Sequence, residues 1–201
     1  MNYPNSFENL INCFKKLPGV GTKTAERYAF QILDMDEEQI QNFMNAIDDS
    51  YHKIHACKVC GSLTENDTCD ICNDSGRNQN IICVVTDTRD VIAMERVGEF
   101  HGVYHVLGGE ISTTKGILPE NLRIKELIDR INDKTEEVII ATNPTVEGDT
   151  TALYINKVIT ELNLATPVKV TRLATGIPVG GDLEYIDKRT LSLSFRGRLQ
   201  I

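Results

Sequence analysis

Cys57-Lys58-Val59-Cys60 and Cys69-Asp70-Ile71-Cys72 are two C-x2-C pairs with eight residues between them. This spacing can place four thiolates around one tetrahedral zinc ion, at Zn–S distances of about 2.3 Å. A zinc ion with four protein ligands keeps no open position for water or substrate, so the site is expected to support structure and not catalysis. An iron–sulfur cluster or two redox-active cysteine pairs are alternatives that use the same residue type.

The residues around these cysteines also favour zinc. Gly61 follows the first pair and lets the backbone curl, so that N–H groups can point at sulfur. His52 and His55 lie just before the cluster and could substitute as ligands, but four cysteines already suffice. Cys13 and Cys83 lie in apolar periodic stretches and are predicted to be core residues. The predicted ligands of one zinc ion per chain are therefore Cys57, Cys60, Cys69 and Cys72.

The segment before the cysteines has the pattern of three amphipathic helices. Apolar residues recur at helical spacing from Phe7 to Leu17, and Ser6 can cap this first helix. Pro18-Gly19-Val20-Gly21 breaks the pattern, and a second helix begins near Thr22. A third helix follows, and its apolar stripe is predicted to pack in the core: Ile40, Phe43, Met44, Ile47, Tyr51 and Ile54.

The break between the first two helices carries a motif. Residues 17–25, Leu-Pro-Gly-Val-Gly-Thr-Lys-Thr-Ala, fit the helix-hairpin-helix pattern of hydrophobic-P-G-hydrophobic-G-x-x-x-A. Gly19 and Gly21 would let the backbone approach a phosphate, and the second helix would offer free N–H donors at its N-terminus. Lys23 and Arg27 are four residues apart, so they project from one face and can reach adjacent phosphates. The alternative is a tight turn without function, but the full match indicates DNA contact that reads no base sequence.

Charge and hydropathy limit the classes of partner. The 201-residue chain has a net charge of −8, which argues against coating nucleic acid by bulk electrostatics. Basic residues nevertheless concentrate in residues 15–28 and 188–201, which suits positioned contact with phosphate. No stretch approaches the ~18 apolar residues that span a bilayer, and the N-terminus lacks the features of a signal peptide. The chain is expected to be cytoplasmic, without a membrane partner.

After the cysteines the pattern changes to strands that alternate with helices. Strands are predicted at residues 81–86, 103–107, 137–142 and 168–173. Helices are predicted near residues 91–97, 121–131 and 150–162. Such alternation is typical of an α/β domain whose parallel sheet is covered on both faces.

A hairpin, a four-cysteine module and an α/β domain in this order resemble the RecR family of bacterial recombination mediators. The resemblance covers essentially the whole chain and is most specific in three stretches, residues 141–149, 175–184 and 194–198. It implies a helix-hairpin-helix domain, a zinc finger, a Toprim-type α/β domain and a C-terminal oligomerisation segment that exchanges between subunits. These modules are expected at residues 1–53, 54–77, 78–176 and 177–201.

The resemblance also identifies what the Toprim-type domain lacks. Catalytic Toprim domains hold magnesium with a glutamate after the first strand and an Asp-x-Asp pair after a later strand. The matching positions here are Thr86 and Asn143-Pro144-Thr145, and Thr86 departs even from relatives that keep the glutamate. No P-loop is present either, so no nucleotide hydrolysis is expected. The protein is therefore expected not to be an enzyme.

Several acids remain near these positions. The resemblance places Glu147 on the surface that engages the partner protein RecO, whereas Asp90 and Asp149 can simply favour helix N-termini. The alternative function is a magnesium-dependent nuclease or strand-passing enzyme that uses Glu147, Asp149 and Asp87.

The function implied by the resemblance is that of a DNA-repair mediator. Homodimers would assemble into a homotetrameric clamp on double-stranded and gapped or single-stranded DNA, associated with the nucleoid. Together with RecO and RecF, the clamp would promote loading of the RecA recombinase. The basic cluster of residues 188–198 either contacts DNA or balances acids on a neighbouring subunit.

Overall fold

The computed structural model describes residues 3–198, which divide into two compact units. The first unit ends at Ile54 and the second begins at His55. Within the described residues, no helix combines the length and the apolar character needed to cross a membrane.

Two helices form the core of the first unit. Helix α1 spans Asn5–Lys15, and helix α2 spans Thr22–Leu33. The N-cap of α1 is Pro4, without a side-chain cap, and Ser6 already lies inside the helix, so the predicted cap is wrong. The two helices can approach closely because α2 contributes small residues to their contact, which consists of Phe7, Ile11, Ala25 and Ala29.

Helix α3, Glu37–Lys53, begins with a capping box in which Asp36 and Gln39 bond each other's backbone N–H groups. No residue of α3 is buried, and the exposed fraction of Tyr51 reaches 82%. The prediction that its apolar stripe packs in the core is therefore wrong. Periodicity had identified the apolar face of α3, but the described residues of the first unit do not bury it. Cys13 is also exposed, contrary to prediction.

The second unit opens with the cysteine module. A two-stranded antiparallel ribbon of β1, His55–Ala56, and β2, Leu63–Thr64, encloses the first cysteine pair. The short helix α4, Asp70–Asn73, begins directly after Cys69 and carries the last cysteine.

A four-stranded parallel sheet forms the centre of this unit, as the strand and helix pattern predicts. Its strands lie in the order β4-β3-β5-β6. They span Asn78–Val85 for β3, Gly102–Val106 for β4, Glu137–Ala141 for β5 and Lys169–Arg172 for β6. The central strand β3 has Val85 opposite Val106 on one side and opposite Ala141 on the other.

Helices cover the sheet on its two faces. These are α5, Thr88–Val97; α6, Ile124–Arg130; and α7, Val146–Thr160; a further helix, α8, spans Lys188–Arg196. Alternate strand residues pack against α6 and α7 on one face and against α5 on the other. Helix α7 starts four residues before its predicted start because the Thr145 side chain caps it.

Candidate metal centre and nucleic-acid interface

The structure brings the four predicted ligands together. The sulfur atoms of Cys57, Cys60, Cys69 and Cys72 all lie within 4.8 Å of one another. Three of these residues are buried and Cys72 is half-buried. Four thiolates around zinc are separated by about 3.8 Å when each Zn–S distance is ~2.3 Å. The sulfurs of Cys60 and Cys69 are 3.5 Å apart, so the cluster has the dimensions of a zinc site.

Backbone N–H groups support the sulfurs. Gly61 adopts a left-handed conformation with a φ of 78°, which turns the chain so that Ser62 N donates to Cys60 Sγ at 3.4 Å. Cys69 N donates to Cys57 Sγ at 3.3 Å. Such bonds stabilise thiolates and orient them toward a metal. The predicted role of Gly61 therefore agrees with the observed geometry.

The ionisation of the cysteines shows why the cluster fits a cation. Hydrogen bonding from Cys72, the largest cause, lowers the pKa of Cys60 to about 5. The Cys60 thiolate then raises the pKa of Cys72, and burial raises the pKa of Cys69 to about 11. Several buried thiolates cannot coexist without a positive charge, and a divalent metal supplies that charge. The four cysteines thus fit one structural Zn2+ per chain.

The hairpin presents the second predicted site. Gly19 has a φ of 79°, and Gly21 is the N-cap of α2. No side chain of the described residues caps α2, so its first N–H groups are available to an external acceptor. A Cβ atom at either glycine would meet nothing within 4 Å, so the turn is open to an approaching backbone.

Lys23 and Arg27 are both exposed and lie one turn apart on α2. Neither residue takes part in an ion pair with any described residue, and the Arg27 guanidinium lies 5.7 Å from the Tyr28 ring centre. The two cations can therefore meet phosphate beside the uncapped helix end, which is the arrangement that the motif predicts.

The third site lies at the carboxyl edge of the parallel sheet. Thr86 follows β3, and Asn143 and Thr145 follow β5, at the positions where the resemblance described above expects the acids of a catalytic Toprim domain. All three side chains bond to Glu110. Thr86 Oγ1 donates to Glu110 Oε1 at 3.1 Å, and Asn143 donates to the same oxygen through N at 3.0 Å and Nδ2 at 3.1 Å. Thr145 Oγ1 donates to Oε2 at 3.4 Å.

Sequence reasoning missed Glu110, which lies in the loop after β4. A carboxylate that accepts four hydrogen bonds from the chain has its lone pairs satisfied internally. The neighbouring backbone is closely packed, because a Cβ on Gly148 would lie 2.0 Å from Asn143 O. This edge of the sheet is thus filled by the chain's own contacts.

The remaining acids have separate roles. Asp87 caps α5, and its bonds with Arg89 hold the pKa of its carboxyl below the usual range. Asp149 accepts from Arg172 at 2.6 Å and from Arg189 of α8 at 2.5 Å. Glu147 is half-buried on the first turn of α7. Within the described residues, the four cysteines are the group of side chains arranged to hold a metal, and these acids do not join one.

Comparison with protein-family models agrees with this layout. The helix-hairpin-helix model of RecR matches residues 7–50, and the four-cysteine zinc finger model of RecR matches residues 54–74. A Toprim domain model matches residues 80–174, and the RecR C-terminal model matches residues 176–199. The four matches follow one another in order along nearly the whole chain. The chain therefore belongs to the RecR family, and its domains support a general role as a recombination mediator.

Proposed function

We propose that this protein is a non-enzymatic DNA-repair mediator that acts as an oligomeric clamp on DNA. In the cytoplasm, associated with the nucleoid, it works with RecO and RecF to promote RecA loading on gapped or single-stranded DNA. The observation that carries this proposal is the hairpin, where Lys23 and Arg27 lie without ion-pair partners in the described chain beside an uncapped helix N-terminus.

The proposal assigns one task to each module. Residues 1–53 contact DNA, 54–77 form the zinc finger, 78–176 form the Toprim domain, and 177–201 contribute to oligomerisation. Gly19 and Gly21 permit close approach of the backbone to phosphate, while Lys23 and Arg27 neutralise charge.

DNA binding tests the hairpin assignment. Replacing Lys23 and Arg27 together with alanine should weaken binding to every sequence and reduce the salt slope by about 2. The matched control replaces Lys125 and Lys134, which are exposed and change the net charge equally. Binding should be measured by fluorescence anisotropy at several salt concentrations. Unchanged binding of the hairpin variant at low salt would rule out this DNA site.

Uncovered apolar surface supports oligomerisation. On α3, Met44 and Ile47 are 58% and 57% exposed, and in the C-terminal segment Tyr185 is 80% exposed. Large exposed apolar patches on a protein domain are typical of interaction surfaces. We propose dimers that assemble into a tetramer, and native mass measurement with and without DNA tests this. A strict monomer at working concentration would contradict the clamp.

Glu147 is the proposed contact for RecO. Its half-buried carboxylate forms no ion pair with the described residues, unlike those of Asp87 and Asp149. Glu147→Ala should weaken RecO binding and leave DNA binding intact, whereas Glu120→Ala, which removes an exposed acid elsewhere, should change neither. Binding to immobilised RecO would measure the difference, and equal affinities of both variants would refute the assignment.

An assay with plasmid DNA separates the mediator from the alternative enzyme. With magnesium present, the purified protein should leave supercoiled plasmid neither cleaved nor relaxed. Cleavage or relaxation that disappears in Glu147→Ala would replace the mediator with a Toprim nuclease or strand-passing enzyme.

A further inference from the structure

Arg130 is the last residue of α6, and its guanidinium is directed toward the protein interior. Its Nη1 atom donates to the carbonyl oxygen of Tyr104 at 2.7 Å and lies 3.1 Å from His105 Nδ1. Among the described residues, no carboxylate forms an ion pair with this guanidinium. A partly buried arginine without an acid is costly unless another negative group compensates it.

His105 orients the guanidinium of Arg130. The side chain is fully buried, and its Nε2 atom lies 2.7 Å from the carbonyl oxygen of Arg123. Because a carbonyl can only accept, Nε2 carries the proton and Nδ1 is the acceptor for Arg130. Burial lowers the pKa of His105 to about 4, so the ring is neutral near pH 7 and this tautomer is maintained.

A second arginine packs directly against the cysteine loop. Arg123 Nε is buried and has no hydrogen-bond partner in the described chain. The same atom lies 2.6 Å from the place where a Cβ on Gly61 would sit. Gly61 follows Cys60, so the unpartnered donor of Arg123 lies against the loop that holds the first thiolate pair. The other side of this guanidinium faces Glu126, with Nη1 3.5 Å from its carboxylate.

The cysteine loop is bonded to the same part of the sheet. Val106 N donates to Cys60 O at 2.7 Å, and Tyr104 and His105 precede Val106 on β4. Burial lowers the pKa of Arg130, and its guanidinium is bonded to Tyr104 O and His105 Nδ1, on the two residues that precede Val106. Zinc bound by four thiolates carries a net double negative charge, which two nearby arginines would balance.

We propose that Arg130 and Arg123 are the counter-charges of the zinc–thiolate centre, held in place by His105. The metal centre is then completed by the Toprim domain and does not belong to the zinc finger alone. Zinc-bound sulfurs are already thiolates, so positive charge beside them stabilises them as ligands and lowers their basicity, which reduces their reactivity toward electrophiles. Zinc retention therefore depends on residues about 60 positions after the ligands in the chain.

Zinc affinity and thiolate reactivity test the proposal without any activity assay. Arg130→Met and Arg123→Met should each lower zinc affinity, by about 10-fold or more for Arg130, as measured by competition with a chromophoric chelator. Both variants should also react faster with iodoacetamide in the zinc-loaded form and shift the thiolate-to-cobalt charge-transfer band after cobalt substitution. Arg130→Lys and Arg123→Lys retain the charge and should restore most of the zinc affinity.

Arg77→Met is the matched control. Arg77 is also largely buried in the same unit, but it pairs with Glu95 and not with the cysteines. Its replacement should destabilise the protein and leave zinc affinity, alkylation rate and the cobalt band unchanged. Equal reductions of zinc affinity in the Arg77 and Arg130 variants, or wild-type behaviour of both methionine variants of the proposed pair, would overturn the proposal. If Arg130→Met does not fold, the proposal is tested by comparing Arg123→Met with Arg123→Lys in zinc affinity, alkylation rate and the cobalt band.

Discussion

The cysteine module and the carboxyl edge of the sheet both carry residue types that bind metals, yet their geometry differs. In the module, four sulfur atoms converge within 4.8 Å, and their other contacts include backbone N–H donors that stabilise negative charge. At the sheet edge, Glu110 accepts from Thr86, Asn143 and Thr145, and Asp149 is paired with two arginines.

The difference shows how a metal site can be distinguished from a cluster of acids that binds no metal. Ligands that hold a metal share a cavity and leave their lone pairs directed at one point. Acids at the sheet edge instead have partners from the chain, so a metal would have to displace several charge-assisted hydrogen bonds. The contrast predicts that the two regions respond differently to substitution and to metals.

Removal of a zinc ligand should have the largest effect. Cys57→Ser or Cys72→Ser removes one of four thiolates, and structural zinc contributes on the order of 10 kcal/mol to folding in small zinc peptides. Solubility and assembly should fall first, and DNA binding should weaken only as a consequence. Zinc content and thermal unfolding measure the effect, and Cys13→Ser, at an exposed position, is the control. Variants that stayed folded and kept the wild-type assembly yet did not bind DNA would place the module on the DNA surface.

Gly148→Ala should be the most damaging single change at the sheet edge. The added Cβ would lie 2.0 Å from Asn143 O and 3.0 Å from Glu110 Oε1, so the loop before α7 must move. We expect the free energy of unfolding to fall by about 3 kcal/mol, with zinc retained. Denaturant unfolding measures this change. A Cβ on Gly21 would have no atom within 4 Å, so Gly21→Ala should lower the free energy of unfolding far less. Equal destabilisation of the two variants would show that the clash at Gly148 is relieved at little cost.

The neutral His105 should make the zinc side of the sheet sensitive to acid. Its pKa is lowered from 6.5 to about 4, so between these values the unfolded chain binds more protons than the folded chain. Stability therefore rises with pH across this window and falls on acidification, by roughly 3 kcal/mol from this group. His105→Gln keeps one donor and one acceptor but cannot titrate. The stability advantage of wild type over this variant should shrink from pH 6.5 to pH 4, and a constant difference would contradict the buried neutral ring.

Glu110→Gln should have the smallest effect of the four. The amide nitrogen cannot accept, so part of the set of bonds from Thr86, Asn143 and Thr145 is removed, at about 1 to 2 kcal/mol. Zinc content should not change. Glu120→Gln, at an exposed position, is the control for removal of one negative charge. Thermal unfolding compares the stability of the two variants. Equal stability would show that the hydrogen bonds to Glu110 do not stabilise the sheet edge.

Local motifs made the modules predictable from sequence. The C-x2-C pairs and the nine-residue hairpin pattern place their functional residues within one short segment, so spacing alone predicts their proximity. The alternation of strands and helices likewise predicts the parallel sheet, which the structure confirms.

Contacts between distant residues were not predictable in the same way. Glu110 and Asn143 are 33 residues apart, and His105 and Arg130 are 25 apart, so no short pattern records either pair. A histidine inside the apolar strand β4 was a usable signal, since a buried polar ring needs partners. For α3, periodicity identified an apolar face but could not show whether the same chain covers it.

A manganese titration of the zinc-loaded protein, followed by electron paramagnetic resonance, tests the contrast between the two regions most directly. The cysteines should retain one zinc per chain through dialysis, and the sheet edge should bind no manganese when the metal is added in slight excess over the protein. A manganese site that disappears in Glu147→Ala or Asp149→Ala would contradict this result and assign a metal-dependent role to the Toprim edge.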